Sequence, residues 1–245
     1  MRRLLLAAGL LWLAAPAAAY ELLRVNDNPC SRDRQNLFWR GDGVGVATSL
    51  LPEPQRGLAD EARNRWNLSV GGFTFGVGSA APCTRDGVAT LALSTTPCGA
   101  AQFGDALAIT RMVWADDGAL VDADVAFNAD SFIVRDSSAF LEVAMHELGH
   151  VLGLDHSDAC GGNGQGTLME ARLTPPRLDA PQADDVAGAE AIYGRDPGDG
   201  TVPEGANSCA VVAPRAAGSA WPLAGLALIA VWRRVRRRAD RRFPD

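Results

Sequence analysis

His146-Glu-Leu-Gly-His-Val-Leu-Gly-Leu-Asp-His156 decides how this chain is read. The stretch is H-E-x-x-H-x-x-G-x-x-H without a departure, and its three histidines are all that the 245 residues contain. Imidazole is a favoured zinc ligand, so a chain that places every histidine at this spacing points to a metal site. Around it, Leu141, Met145, Leu148 and Leu152 recur as one buried helix face, which predicts a helix over 137–153. Residues four apart on a helix lie one above the other, so His146 and His150 can hold the same ion. Glu147 stands one step round, beside the ion rather than on it. Gly153 lets the chain leave the helix, because glycine takes left-handed backbone angles at little cost. His156 then returns as a third ligand. Three protein ligands leave a fourth position open, as in a catalytic rather than a closed structural zinc site. A helix with incidental histidines explains neither the spacing nor the glutamate.

These residues resemble the metzincin zinc metalloproteases, and within them the matrixin (matrix metalloproteinase-like) branch. His156 is followed by Ser157, as in matrixins. Gly166-Thr-Leu-Met169 ends thirteen residues beyond His156 and resembles the family's Met-turn. Residues 183–194 are similar to the last helix of matrixin catalytic domains, and Val121-Asp-Ala-Asp-Val-Ala-Phe-Asn128 to the strand before the active-site helix. The resemblance covers about residues 35–194 and is sharpest over 121–194. It implies an exported endopeptidase acting on a protein or peptide substrate, with one catalytic Zn2+ held by His146, His150 and His156. Glu147 would take a proton from the attacking water and deliver it to the leaving amine. Met169 would support the ligands without binding metal, Asp155 would be structural, and the specificity pocket would lie around 170–182. Animal matrixins carry a second zinc on further histidines; none remain here, so that site is absent or replaced. No cysteine-switch propeptide is visible. Asp122, Asp124 and Asp130 are candidate Ca2+ ligands, and equally turn or edge-strand carboxylates. The reading from another class is a catalytically idle, surface-anchored binding protein on the same fold.

Outward from the motif, the chain divides into four parts. Residues 1–19 combine Arg2 and Arg3, an apolar run and Ala17-Ala-Ala19, the pattern of a signal peptide cleaved after Ala19. Residues 20–195 would form the matrixin-like metalloprotease domain that the resemblance implies. Residues 196–215 are a Gly/Pro-rich linker with Cys209. Residues 216–245 are an apolar stretch and an Arg cluster, resembling myxobacterial carboxy-terminal sorting signals. That tail implies membrane contact and a place at the cell surface, with a plain transmembrane anchor as the alternative.

Between signal and tail, residues 20–232 hold 14 Arg against 27 Asp and Glu, and there is no lysine in the chain. So acidic a body argues against nucleic-acid binding, which needs a basic footprint. Nothing in the sequence calls for an oligomer, so a monomer is expected. The body's four cysteines suggest two disulfides in an oxidising compartment, with three pairings open. Cys83 and Cys98 flank one strand-like segment and favour a local bridge, leaving Cys30 for Cys160.

Residues 37–48, with Leu37-Phe-Trp39 and Val44-Gly-Val46, read as a first strand with a glycine-rich turn. Leu58, Ala62 and Trp66 recur at helical spacing after Pro54, with Trp66 in the core. Strand-like runs follow at 73–77, 88–93, 107–113 and 121–127. The order predicts one α+β domain of sheet and helices, and the resemblance to metzincins implies a zincin-like fold: a twisted mixed sheet of about five strands packed with three helices, its cleft at the motif helix.

Overall fold

The computed structural model describes residues 20–25, 30, 35–98, 102–162 and 164–194. In chain order the elements are β1 (Glu21–Leu22), β2 (Phe38–Trp39), β3 (Gly43–Ala47), α1 (Gln55–Ser69), β4 (Thr74–Val77), β5 (Val88–Ser94), β6 (Ala108–Trp114) and β7 (Ala119–Asn128). A 3-10 turn, Phe132–Arg135, leads to α2 (Ser137–Leu152), β8 (Leu154–Asp155) and α3 (Ala183–Tyr193). Three helices and a mixed sheet make the α+β domain expected from the sequence.

The sheet has six strands in the order β2-β7-β5-β3-β4, with β6 on the other side of β7. All pairs are parallel except β6 with β7. The count exceeds expectation because the run 37–48 holds two strands: β2 pairs with Ala119 and Leu120 of β7, whereas β3 runs between β4 and β5. The chain turns at Arg40–Asp42, where Arg40 forms an ion pair with Asp117.

Period-two alternation on β7 sorts its two faces. Ala123, Val125 and Phe127 belong to the hydrophobic core, and Phe127 meets Phe140 of α2 with ring centroids 4.7 Å apart. Asp122 and Asp124 lie on the other face. Helix α2 is buried almost all round, among α1, β6, β7 and α3. Burying a side chain the size of Phe140 or Leu148 stabilises the fold by about 1.5–3 kcal/mol. Trp66 of α1 is in the core as expected, and its indole N–H donates to the Met145 carbonyl at 2.8 Å.

Both ends of α2 are held by groups the sequence supplies. Asp136 caps the start, its Oδ1 accepting from the backbone N–H of Ser138 and of Ala139 at 3.1 Å. At the other end Gly153 has φ +102°, and a Cβ there would meet the Leu37 carbonyl. The last carbonyls find partners in distant aromatics: Trp39 Nε1 donates to Val151 O and Tyr193 Oη to Leu152 O, each at 2.8 Å.

Strand β8 was not anticipated. It lies between the second and third motif histidines and pairs antiparallel with β1, Glu21 opposite Asp155. The Cys30–Cys160 disulfide holds the same two segments together, and Cys83–Cys98 is the other bridge, as the sequence favoured. A crosslink spanning 130 residues removes about 5 kcal/mol of unfolded-chain entropy on the loop-closure picture. Two disulfides fit an oxidising compartment.

One expectation is corrected. No helix among the described residues is long and apolar enough to cross a membrane, so the transmembrane anchor and the tail's membrane contact are withdrawn. The longest of the described helices, α2, has 16 residues and is packed inside the domain, short of the about 20 that a bilayer requires. The signal peptide, the linker with Cys209 and the 216–245 tail lie outside the described residues.

Candidate metal centre

His146 and His150 project from the last turns of α2, and His156 returns from the segment after β8. The His150 and His156 Nε2 atoms are 3.2 Å apart, and one ring nitrogen from each of the three histidines lies within 4.8 Å of the others. Two imidazoles bound tetrahedrally to zinc at about 2.0–2.1 Å would have nitrogens roughly 3.3 Å apart. Among the described residues this is the group of His, Cys, Asp or Glu side chains that could hold a metal ion.

The ring orientations follow from second partners. His146 Nδ1 lies 2.8 Å from the Leu168 carbonyl and His150 Nδ1 2.8 Å from the Leu154 carbonyl. A carbonyl only accepts, so each Nδ1 carries the proton and each Nε2 presents a lone pair. Burial and the neighbouring His150 push His146 down to about 4 and, with His146 as well, His156 to about 2; His150 is lowered by burial. All three rings are therefore neutral near pH 7. Close-set lone pairs on neutral rings are a donor set for a soft-to-borderline cation, and zinc fits it.

Glu147 lies beside this cluster, 6% exposed. Burial raises its carboxyl above the usual range, while the adjacent His146 and a hydrogen bond from Thr110 oppose the rise. Thr110 Oγ1 donates to Glu147 Oε2 at 2.5 Å. Sequence reading missed Thr110, which lies 37 residues away on a strand, with no local signal to link it to the motif.

The floor of the site explains a residue that the spacing rule leaves free. Gly149 faces Met169, and a Cβ on it would collide with the Met169 sulfur and lie 3.3 Å from Trp66. Met169 itself is 2% exposed. The turn carrying it is tied on both sides: the Ser157 N–H donates to Met169 O at 2.9 Å, and Asp185 accepts from the N–H groups of Leu168 and Met169 at 2.9 and 3.0 Å. Asp185 also accepts from Gln182 N at 2.8 Å, capping α3. Thus Leu168, whose carbonyl orients His146, is fixed by α3. Asp185 also escaped sequence reading, since it sits in an Asp-Asp pair that marks only a helix start. Asp155 accepts from His156 N at 2.8 Å, the structural role expected of it.

Gly149→Ala should gain about 1 kcal/mol of helix propensity and lose about 1–3 kcal/mol to overpacking. We expect a net fall in melting temperature and weaker metal retention. Thermal unfolding checks this, and a rise in melting temperature would show that Met169 moves aside freely.

The candidate calcium ligands do not converge. Asp122 accepts from Asp86 N and Gly87 N at 3.3 and 3.2 Å, and Asp124 from Thr90 N at 3.1 Å. Burial with the neighbouring Asp122 pushes Asp124 up to about 6. Both are buried on a central strand, not at an edge, whereas Asp130 is exposed in the turn beyond it.

In comparison with known proteins, residues 86–194 match the family model described as Matrixin. No curated protein matches the chain.

Proposed function

We propose, from the premise that this chain carries a zinc-protease domain of the matrixin family, that it is a zinc-dependent endopeptidase cleaving extended segments of protein or peptide. The observation that carries the reading is the convergence of three neutral imidazoles beside a buried carboxylate. His146, His150 and His156 would hold the ion, and Met169 would support them from below. Zinc, when bound, supplies Lewis acidity and brings the pKa of water to about 7. Glu147 then accepts a proton at its carboxylate and passes it to the leaving amine, general acid–base work worth about 10²- to 10⁴-fold in rate.

Strand β6 supports the substrate class. Among the described strands it pairs only with β7, so no described strand occupies its outer edge, next to Glu147. Such an edge takes up an extended peptide through backbone hydrogen bonds. The idle-binder reading is less favoured, because Glu147 is kept buried and hydrogen-bonded at a desolvation cost that a scaffold alone does not need. Export through the 1–19 segment is part of the proposal, supported by the disulfides.

The test is cleavage of casein and a fluorogenic peptide by the full chain. Activity should vanish with a chelator and return with one equivalent of zinc. Activity that persists after the metal has been removed would refute the proposal.

A further inference from the structure

We propose that Thr110 is a positioning residue for Glu147, its hydroxyl fixing which carboxylate oxygen exchanges the proton. The inference rests on the endopeptidase reading and deepens it. Thr110 lies near the start of β6, opposite Val125 of β7, on the sheet face turned towards α2. From there Oγ1 reaches Glu147 Oε2 at 2.5 Å and the Glu147 backbone oxygen at 3.4 Å. Both are acceptors, and the shorter contact takes the single hydroxyl proton. A hydrogen bond to a charged acceptor is among the stronger kinds, and it occupies Oε2, leaving Oε1 to take up and return the proton.

Threonine suits this task better than serine. Its branched Cβ restricts χ1, so the hydroxyl is held towards the helix by the strand itself. The carboxylate of a glutamate otherwise turns about a broad terminal torsion, and a base that turns is out of line for much of its time. The same residue lies on the strand whose outer edge would be offered to the peptide. The hydroxyl therefore ties the position of the base to the strand that would align the substrate, across 37 residues of sequence.

The experiment compares wild type, Thr110→Val and Thr110→Ser as full-length protein. Valine keeps the shape and removes the donor; serine keeps the donor. We expect kcat to fall about 10- to 100-fold in Thr110→Val, the range spanned by loss of a charge-assisted hydrogen bond. KM and zinc content should stay near wild type, and Thr110→Ser should recover most of the loss. Wild-type kcat in Thr110→Val, or a serine variant as slow as the valine one, would overturn the proposal. A second readout needs no turnover: melting temperatures of metal-free wild type, Thr110→Val, Glu147→Ala and the double variant. Coupling between the two positions supports the contact, whereas additive shifts overturn it. Zinc-loaded wild type without peptidase activity would instead sink the endopeptidase reading, and the thermal cycle would still decide on the hydrogen bond.

Discussion

Glu147→Ala is expected to reduce peptide cleavage by at least about 10²- to 10⁴-fold while the protein keeps its metal. The carboxylate is not among the converging ring nitrogens, so its removal leaves the three imidazoles and their backbone partners in place. What goes is the group that holds the proton between water and leaving amine. The variant should also be no less stable than wild type by more than about 1–2 kcal/mol. A desolvated carboxylate is itself costly, and its loss offsets part of the packing lost with the side chain. Metal analysis beside a turnover assay checks both halves of the prediction.

His150→Ala should remove metal and activity together. This ring has both nitrogens engaged, Nδ1 at the Leu154 carbonyl and Nε2 facing His156 Nε2. Loss of an outer-shell partner of a zinc ligand costs about 10- to 100-fold in affinity, and loss of the ligand itself should exceed that. The Leu154 carbonyl would lose its partner within the segment that carries the third histidine. We therefore expect His156 to lose its placement as well, so added zinc should not restore turnover at concentrations that suffice for wild type. Competition with a chromogenic chelator gives the affinity directly.

The comparison of sequence with structure shows where a pattern carries information and where only the folded chain does. The histidine spacing was legible because a helix has a fixed period, so i and i+4 must share a face. Gly153 was legible because few residues tolerate φ +102°. Both disulfides were favoured by elimination and by a local segment. Contacts that join distant parts of the chain left no such trace. Gly149 is required by Met169 and Trp66, which come from a turn after the motif and from α1. Asp185 reads as one of two acids at a helix start, yet its carboxylate holds the turn that orients His146. The break between β2 and β3 and the two-residue strand β8 were beyond reach, since strands that short have no period to detect. Asp122 and Asp124 read equally as candidate Ca2+ ligands and as turn or edge-strand carboxylates, and the register of β7 buries them among backbone donors.

Peptide hydrolysis by this chain should need both a metal on the three histidines and the Glu147 carboxylate. The direct measurement is metal stoichiometry and casein cleavage on the same samples of wild type and Glu147→Ala, each before chelation, after it, and after zinc add-back. About one zinc per chain is expected in both proteins before chelation and after add-back, with cleavage only in the zinc-loaded wild type. Cleavage by zinc-loaded Glu147→Ala at the wild-type rate, or by wild type stripped of metal, would contradict this requirement.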